Sequence, residues 1–164
     1  MIASVLEKIH TGIQSPRNFN NHLGVPLSLL ELQQGDEFAV IEIGASGPGE
    51  IRALTSIAEP EMAVITRIAP CHLRGFESVQ KIQLEKARII ATLPDNGGAF
   101  LNSDDPLVSE LNKCTRARVV TFGTSGSPDV LATSVTVNKG QLRVVVDEHE
   151  YVVPVCGRHN VCSV

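Results

Sequence analysis

The stretch Glu37–Ala69, EFAVIEIGASGPGEIRALTSIAEPEMAVITRIA, decides the fold class of this chain. It begins with an apolar run of strand length that ends in a glycine-rich turn, and residues 50–58 are helix-like. A second apolar strand follows at residues 61–69. Two buried strands joined by a helix favour a parallel pair whose faces are covered by helices. The stretch therefore predicts an α/β domain.

The same alternation extends from this stretch to residue 127. Upstream, residues 1–10 have helical spacing that Gly12 would end, and a further helix is predicted near Pro26. Downstream, strands are predicted at residues 97–102 and 117–123. These elements together predict a mainly parallel sheet flanked by helices over residues 1–127.

Residues 78–93, SVQKIQLEKARIIATL, form the clearest helix in the sequence. Their apolar side chains share one broad face, and Lys81 and Glu85 have the spacing of an i,i+4 ion pair. A shorter helix is predicted after residue 103, with Asp104 or Asp105 near its cap. Both helices fit the α/β pattern.

After residue 127 the pattern changes to strands alone. Residues 128–156 alternate β-branched and polar side chains, with turns at NKG and DEHE. This predicts a small antiparallel meander appended to the α/β layer, within a single domain over residues 1–164. The first helix has no capping residue before it and the last segment has no stop signal, so we expect a domain truncated at both ends.

Composition excludes several classes of protein. The chain has 164 residues and a net charge of −4 without a basic block, which argues against binding to nucleic acid or anionic membranes. Its longest apolar runs are shorter than a membrane span, and its N-terminus is not a secretory signal. The four cysteines form no C-x-x-C pair, which indicates free thiols in the cytoplasm. A zinc site at Cys156, His159 and Cys162 is disfavoured, because a second ligand pair is missing.

Polar residues cluster where the predicted strands end, which is where ligands bind in open α/β sheets. They are Glu42, Arg67, His72, Asn102, Asp104 and Asp105. A carboxylate inside an apolar strand is costly unless it is paired or bound to metal, so Glu42 favours a functional role. Since Mg²⁺ on phosphates needs only one or two protein ligands, Glu42 and His72 would suffice.

Most of these positions also have a purely structural explanation. His72 alone is typical of a loop histidine, and Lys86 is typical of a solvated helix surface. Helix capping accounts for Asp104 and Asp105. The glycines of residues 44–49 would either cradle phosphate through their amides or simply form a turn. The asparagine-rich loop before residue 24 is likewise either a polar connection or a ligand-gripping loop.

Seven segments, taken in order, resemble the central domain of the Mur ligases. They are NFNNHLGVPLSLLEL, AVIEIGASGPGEI, AVITRIAPCHLRGF, EKARII, LNSDDP, TFG and GRHNV. The first segment is most similar to the members that add D-alanyl-D-alanine to UDP-N-acetylmuramoyl-tripeptide in peptidoglycan synthesis. The resemblance implies a P-loop NTPase-like sheet and an ATP-dependent amide ligase. In such enzymes ATP converts a carboxylate to an acyl phosphate, and an incoming amine then displaces the phosphate to form the amide.

The resemblance also implies roles for individual residues. Glu42 and His72 match Mg²⁺ ligands, and Lys86 matches a lysine whose carbamylation supplies a further metal ligand, so that His72 and Lys86 are the expected catalytic residues. Nucleotide contacts are implied for Asn102, Asp104, His159 and Asn160. The loop residues expected beside the substrate are Asn18, Asn20, Asn21 and His22.

The chain departs from the family pattern at several positions. Arg17 stands in place of a glycine, Arg67 in place of an asparagine, Arg74 in place of a glutamate, and Ser163 in place of an asparagine. No G-x-x-x-x-G-K-S/T phosphate loop occurs in the 164 residues, and the family's N- and C-terminal domains are missing too. Without the loop amides and lysine, we expect the isolated chain not to be a competent ligase.

Two alternatives remain open. The chain would be either the middle domain of a working ligase or a degenerate, non-catalytic Mur-like module for binding or assembly. A ligase of the folylpolyglutamate or cyanophycin synthetase type is a weaker alternative, since those lack the asparagine loop. We also expect self-association, because truncated edges would expose apolar surface.

Overall fold

The computed structural model describes residues 1–138, 140–155 and 157–163, with the backbone alone for Arg158, His159 and Ser163. The chain divides into two compact units. The first unit comprises Met1–Pro60 and Pro70–Thr92, and the second comprises Glu61–Ala69 and Leu93–Val164.

The first unit is mostly helical. Its elements are α1 (Ile2–Leu6), β1 (Gly12–Gln14), α2 (Gly24–Leu30), β2 (Phe38–Val40), α3 (Glu50–Ala58), α4 (Leu73–Phe76) and α5 (Val79–Ala91). β1 and β2 form a parallel pair, and α1 contacts both strands. The prediction that Gly12 ends a helix is wrong. Gly12 instead begins β1, and a Cβ at this position would collide with the Phe38 carbonyl, so only glycine allows the strands to approach.

Helices α3 and α5 pack together in the first unit. The bounds predicted for α3 are confirmed, and the helix buries Ile51 and Leu54. α5 begins at the cap of Ser78, whose side chain accepts a hydrogen bond from the backbone of Lys81. The predicted strand at residues 37–45 is shorter than expected, because β2 ends at Val40.

The second unit is a mixed sheet. Its elements are β3 (Met62–Ile65), β4 (Gly98–Asn102), α6 (Pro106–Ser109), the 3₁₀ helix Glu110–Cys114, β5 (Arg118–Gly123), β6 (Val130–Asn138), β7 (Gln141–Val146), β8 (His149–Val153) and the 3₁₀ helix Arg158–Ser163. Strands β3 to β8 lie in sequence order in one sheet. β3 to β6 run parallel, whereas β6, β7 and β8 pair antiparallel.

The predicted fold class, a mainly parallel α/β sheet with an antiparallel meander, is therefore confirmed. The meander continues the parallel sheet directly, since Phe122 of β5 pairs with Val130 of β6. It also has its own small apolar cluster of Val135, Leu142 and Val144. Among the described residues, no helix is long and apolar enough to cross a bilayer.

Candidate functional site

Glu42 lies just beyond the end of β2 and is exposed to solvent. Its Oε1 accepts a hydrogen bond from the Nδ2 of Asn20 at 2.8 Å, and its backbone N–H donates to the Ser15 hydroxyl at 3.0 Å. The burial predicted for Glu42 is wrong, because the strand stops two residues earlier. An exposed carboxylate oriented by one amide still has acceptor capacity, so it remains chemically suited to a hard cation.

The asparagine-rich loop is held by its own side chains. Asn21 accepts the backbone N–H groups of Leu23 and Gly24 at 3.1 and 3.0 Å and so supports the start of α2. Asn20 orients Glu42, and Asn18 is in the left-handed backbone region with φ 66°. The contact of Asn18, Asn20, Asn21 and His22 with a substrate stays a prediction.

The amides of the glycine-rich loop, residues 44–49, are largely occupied by the protein itself. The Ser46 N–H donates to the Glu50 carboxylate at 2.8 Å, and the Gly49 N–H donates to Oε1 of Glu85 at 2.9 Å. The Gly44 N–H donates to a backbone carbonyl in the asparagine loop. Of the two interpretations of these glycines, the structure supports the turn and not a phosphate cradle.

Glu85 is the buried charge of the first unit, with only 3% of its surface exposed. Its Oε1 also accepts the Ile51 N–H at 3.0 Å, and its Oε2 accepts a hydrogen bond from Nε of Arg88 at 3.1 Å. A carboxylate on α5 thus caps α3 from outside that helix, where the helix dipole favours negative charge. The predicted Lys81–Glu85 pair is wrong: Lys81 pairs with Glu77 at 2.7 Å.

His72 and Lys86 lie on elements that surround the same glycine-rich loop. His72 precedes α4 in a left-handed conformation with φ 51°, and its side chain is exposed. Lys86 is half-buried on α5, directly after Glu85. α4 contacts α5, and the Cα of Gly75 in α4 lies so close to the Ser46 carbonyl that a Cβ would not fit.

The first unit therefore contains Glu42, His72 and Lys86 on neighbouring elements, although their binding of Mg²⁺ stays a prediction. An exposed carboxylate and an exposed imidazole fit a Mg²⁺ ion that is bound mainly by phosphate oxygens. Within the described part of the chain, no three or more His, Cys, Asp or Glu side chains are grouped closely enough to hold a metal by themselves.

A cleft of about 460 Å³ opens in the second unit at the carboxyl ends of β3 and β4. Residues 66–68 after β3 line one part of it, and Asn102 with residues 104–107 after β4 line another. Cys162 of the last 3₁₀ helix completes the lining. The structure thus brings together the polar residues that follow these two strands.

Asn102 stabilises the floor of this cleft. It is 4% exposed, its Nδ2 donates to the Thr66 carbonyl at 2.8 Å, and its Oδ1 accepts the Asp104 N–H at 2.9 Å. The amide thereby ties the end of β4 to the segment after β3. Both polar atoms of Asn102 already have protein partners, and its contact with nucleotide stays a prediction.

Asp104 holds the loop that follows β5. Its two oxygens accept hydrogen bonds from the backbone and hydroxyl groups of Thr124, at 2.7 and 2.9 Å, and of Ser125, at 3.2 and 2.7 Å. Burial raises the pKa of Asp104, but these four donors outweigh it and lower the pKa below its usual value. The nucleotide contact expected of Asp104 likewise stays a prediction.

Asp105 caps the start of α6. The sequence had left this role open between Asp104 and Asp105. Its Oδ1 accepts the N–H groups of Leu107 and Val108 at 2.9 and 3.3 Å, and its Oδ2 accepts the Ile68 N–H at 2.9 Å. Asp105 therefore joins the two sides of the cleft while capping the helix.

The last 3₁₀ helix reaches the cleft through Cys162, whose Sγ lies 3.9 Å from Oδ2 of Asp104. Burial raises the pKa of this thiol, and the negative charge of Asp104 raises it further. Asn160 lies in the same helix. Cys156 and the side chain of His159 lie outside the described residues, so the disfavoured zinc site and the adenine contact of His159 and Asn160 stay predictions.

Comparison with known proteins places these features in a family. The Mur ligase middle domain model matches residues 1–162. The UDP-N-acetylmuramoyl-tripeptide–D-alanyl-D-alanine ligase of Bacillus subtilis (strain 168) is 32% identical over 165 residues, which cover 99% of this chain and 35% of that protein. The ligase of the same name from Escherichia coli (strain K12) is 31% identical, over 99% of this chain and 37% of that protein.

Solved structures show the same relationship. A MurF structure from Acinetobacter baumannii has a TM-score of 0.88 and 28% identity, covering 98% of this chain and 36% of that one. The MurF ligase of Thermotoga maritima, in complex with ADP, has a TM-score of 0.79 and 28% identity over 93% of this chain and 36% of its own. The chain spans about a third of the length of the proteins it matches.

Proposed function

The chain belongs to the Mur ligase family through its middle domain, and from that premise we propose that it serves an ATP-dependent ligase adding D-alanyl-D-alanine to UDP-N-acetylmuramoyl-tripeptide. The curated relatives aligned over 99% of the chain carry this activity in their names. The chain spans about a third of the length of these relatives. The proposed activity, both substrates and the place in peptidoglycan synthesis are therefore those of a longer ligase of which this chain would be the middle domain.

The cleft of the second unit is the proposed nucleotide site. The observation that carries the proposal is the position of this cleft in the sheet. It lies at the carboxyl ends of β3 and β4, where open α/β sheets bind ligands. The segment GRHNV, which the family resemblance assigns to adenine, leads into the 3₁₀ helix that contributes Cys162 to the lining, since residues 158–161 belong to that helix. The Thermotoga maritima relative was solved in complex with ADP, which supports nucleotide binding in this family.

The first unit is the proposed site of metal and substrate chemistry. Glu42, oriented by Asn20, and His72 would hold Mg²⁺, and the carboxylate of a carbamylated Lys86 would orient a second Mg²⁺. The metal would neutralise charge on the phosphates during acyl phosphate formation. The described contacts contribute orientation: Glu85 and the glycine-rich loop set the position of the helix that contains Lys86.

The absence of a G-x-x-x-x-G-K-S/T motif from the 164 residues limits what the isolated chain would do. We propose that it binds nucleotide weakly and does not ligate. A non-catalytic Mur-like binding module is the second candidate, because Arg74 puts a positive charge on the short helix that follows His72.

The proposed compartment is the cytoplasm, which agrees with the unpaired thiols of Cys71, Cys114 and Cys162.

Self-association is also part of the proposal. α2 exposes Leu27 and Leu30, at 49% and 79% of their surface, and Leu23 just before the helix is 64% exposed. Such a contiguous apolar face favours contact with other protein surface.

Calorimetric titration of the chain with ATP, in Mg²⁺ or in EDTA, tests the metal assignment. We expect Mg²⁺ to tighten ATP binding, and Glu42→Ala to lose that gain while leaving binding in EDTA unchanged. Glu31→Ala is the matched control, since Glu31 is an exposed carboxylate at the end of α2. Equal Mg²⁺-dependent binding by the Glu42 variant and the wild type would contradict the role of Glu42.

A further inference from the structure

The acceptor side chains of the cleft in the second unit are already engaged by the protein. Asn102 uses both polar atoms of its amide, Asp104 accepts four hydrogen bonds, and Asp105 accepts three. These donors stabilise the two carboxylates and leave them little capacity for a ligand. A ligand would therefore be recognised mainly by other groups on the cleft.

Arg67 is the ionic group of the lining that remains available. It is exposed, it lines the cleft just after β3, and it forms no hydrogen bond or ion pair with any other described residue. Cys162 also lines the cleft; burial raises the pKa of its thiol, and the positive charge of Arg67 opposes the increase.

The chemistry of arginine indicates the class of ligand group that it takes. A guanidinium has five N–H donors in a planar fork, which matches the oxygens of a phosphate and forms strong charge-assisted hydrogen bonds. The resemblance to the Mur ligases leads one to expect an asparagine at this position, which is neutral. This chain therefore has a cation where an uncharged amide would make only neutral hydrogen bonds.

We propose that Arg67 is a ligand-binding residue that contacts a phosphate group of the nucleotide in this cleft, so that affinity in this chain depends on a charge contact at position 67. This inference rests on the proposed nucleotide function and assigns part of that site. Arg67, which departs from the family pattern, is then a specific feature of this chain's binding site.

The test is a titration of the whole chain with ATP, adenosine and inorganic pyrophosphate at low and high salt. Binding is monitored by NMR chemical shifts. Arg67→Asn should weaken ATP binding by about 10- to 100-fold, as expected for loss of a charge-assisted hydrogen bond. Arg67→Lys should recover part of the affinity, because it restores the charge without the fork. Adenosine should bind equally to all three proteins.

Arg116→Asn is the matched control, since Arg116 is an exposed arginine of the same unit that does not line the cleft. Its ATP affinity should equal that of the wild type. The salt dependence of ATP binding should decrease in Arg67→Asn but not in Arg116→Asn. Unchanged ATP affinity in Arg67→Asn would overturn the proposal.

The three ligands separate the two proposals. If the chain binds pyrophosphate through Arg67 but binds no adenosine or ATP, the phosphate contact stands and the nucleotide function fails. If adenosine binding depends on Arg67 and pyrophosphate is not bound, the arginine contacts the base and the phosphate proposal fails. If none of the three ligands binds, both proposals fail.

Discussion

The glycine-rich loop of the first unit and the cleft of the second unit have opposite relations between sequence and structure. The loop has the composition of an anion site, yet a protein carboxylate, Glu85, accepts the N–H groups of Gly49 and Ile51. The cleft has acidic residues in its sequence, yet these accept hydrogen bonds from the protein and leave Arg67 available. Composition alone would therefore assign an anion to the loop and a cation to the cleft, which is the opposite of what the contacts support.

The difference shows that backbone amides and carboxylates cannot be assigned to ligands until their protein partners are known. A buried N–H group requires an acceptor, and an acceptor from elsewhere in the chain serves as well as a phosphate. In the first unit Glu85 supplies that acceptor, and α5 is thereby fixed against the start of α3.

The largest effect on stability is expected for Glu85→Ala. This variant tests whether the Glu85 carboxylate is the required acceptor for the N–H groups of Gly49 and Ile51. Removal of this 3% exposed group would leave two amides and Arg88 without their partner, and would lower the free energy of unfolding by about 3 kcal/mol. Urea unfolding measures the change. Glu50→Ala is the control, because it removes one exposed acceptor of the same loop and should cost about 1 kcal/mol or less. Equal losses in the two variants would show that Glu85 has no special role.

An intermediate effect is expected for Asp104→Asn in the cleft. The loss of a carboxylate that accepts four hydrogen bonds should cost about 1–2 kcal/mol at pH 7, less than at Glu85 because Asp104 is only partly buried. Because the pKa of Asp104 is lowered in the fold, its stabilisation is present above the usual pKa of 3.8 and is lost as the pH falls through the lower folded value. The difference from wild type in urea should therefore narrow below about pH 4. A difference that is constant from pH 7 to pH 3 would show that the carboxylate charge contributes nothing.

The smallest effect is expected for Lys81→Ala on α5. Lys81 pairs with Glu77 across an exposed surface, and such pairs contribute little. The urea midpoint should be unchanged, in contrast to Glu85 on the same helix. A clear loss of stability in this variant would mean that surface charge, and not the buried carboxylate, fixes α5.

Local patterns in the sequence predicted most of the fold. The bounds of α3 are confirmed because its apolar spacing and the flanking glycine and proline are local signals. The antiparallel meander that follows the alternating elements was predictable for the same reason, because its strands and turns are local signals. Gly12 was misassigned, since its reason for being glycine is the close approach of Phe38, which lies 26 residues away in the chain.

Individual residues of the candidate sites were less predictable. Glu42 was expected to be a buried charge, but its exposure depends on where β2 stops. Glu85 was interpreted as a surface partner of Lys81, because a spacing of four residues fits either face of a helix until its packing is known. Arg67 was expected at a strand end where ligands bind, and it does line the cleft. The sequence did not show that the neighbouring Asp104 and Asp105 would already accept hydrogen bonds from the protein.

The sequence by itself determined the α/β class, the order of the elements and the family, because periodicity, turn residues and ordered motifs are properties of the chain. Only the tertiary structure decided which polar groups are already bonded within the protein and which remain for a ligand. Hydrogen-bond partners such as Glu85 and Ile51, or Asp104 and Thr124, are far apart in sequence. Their pairing depends on how the helices and strands pack.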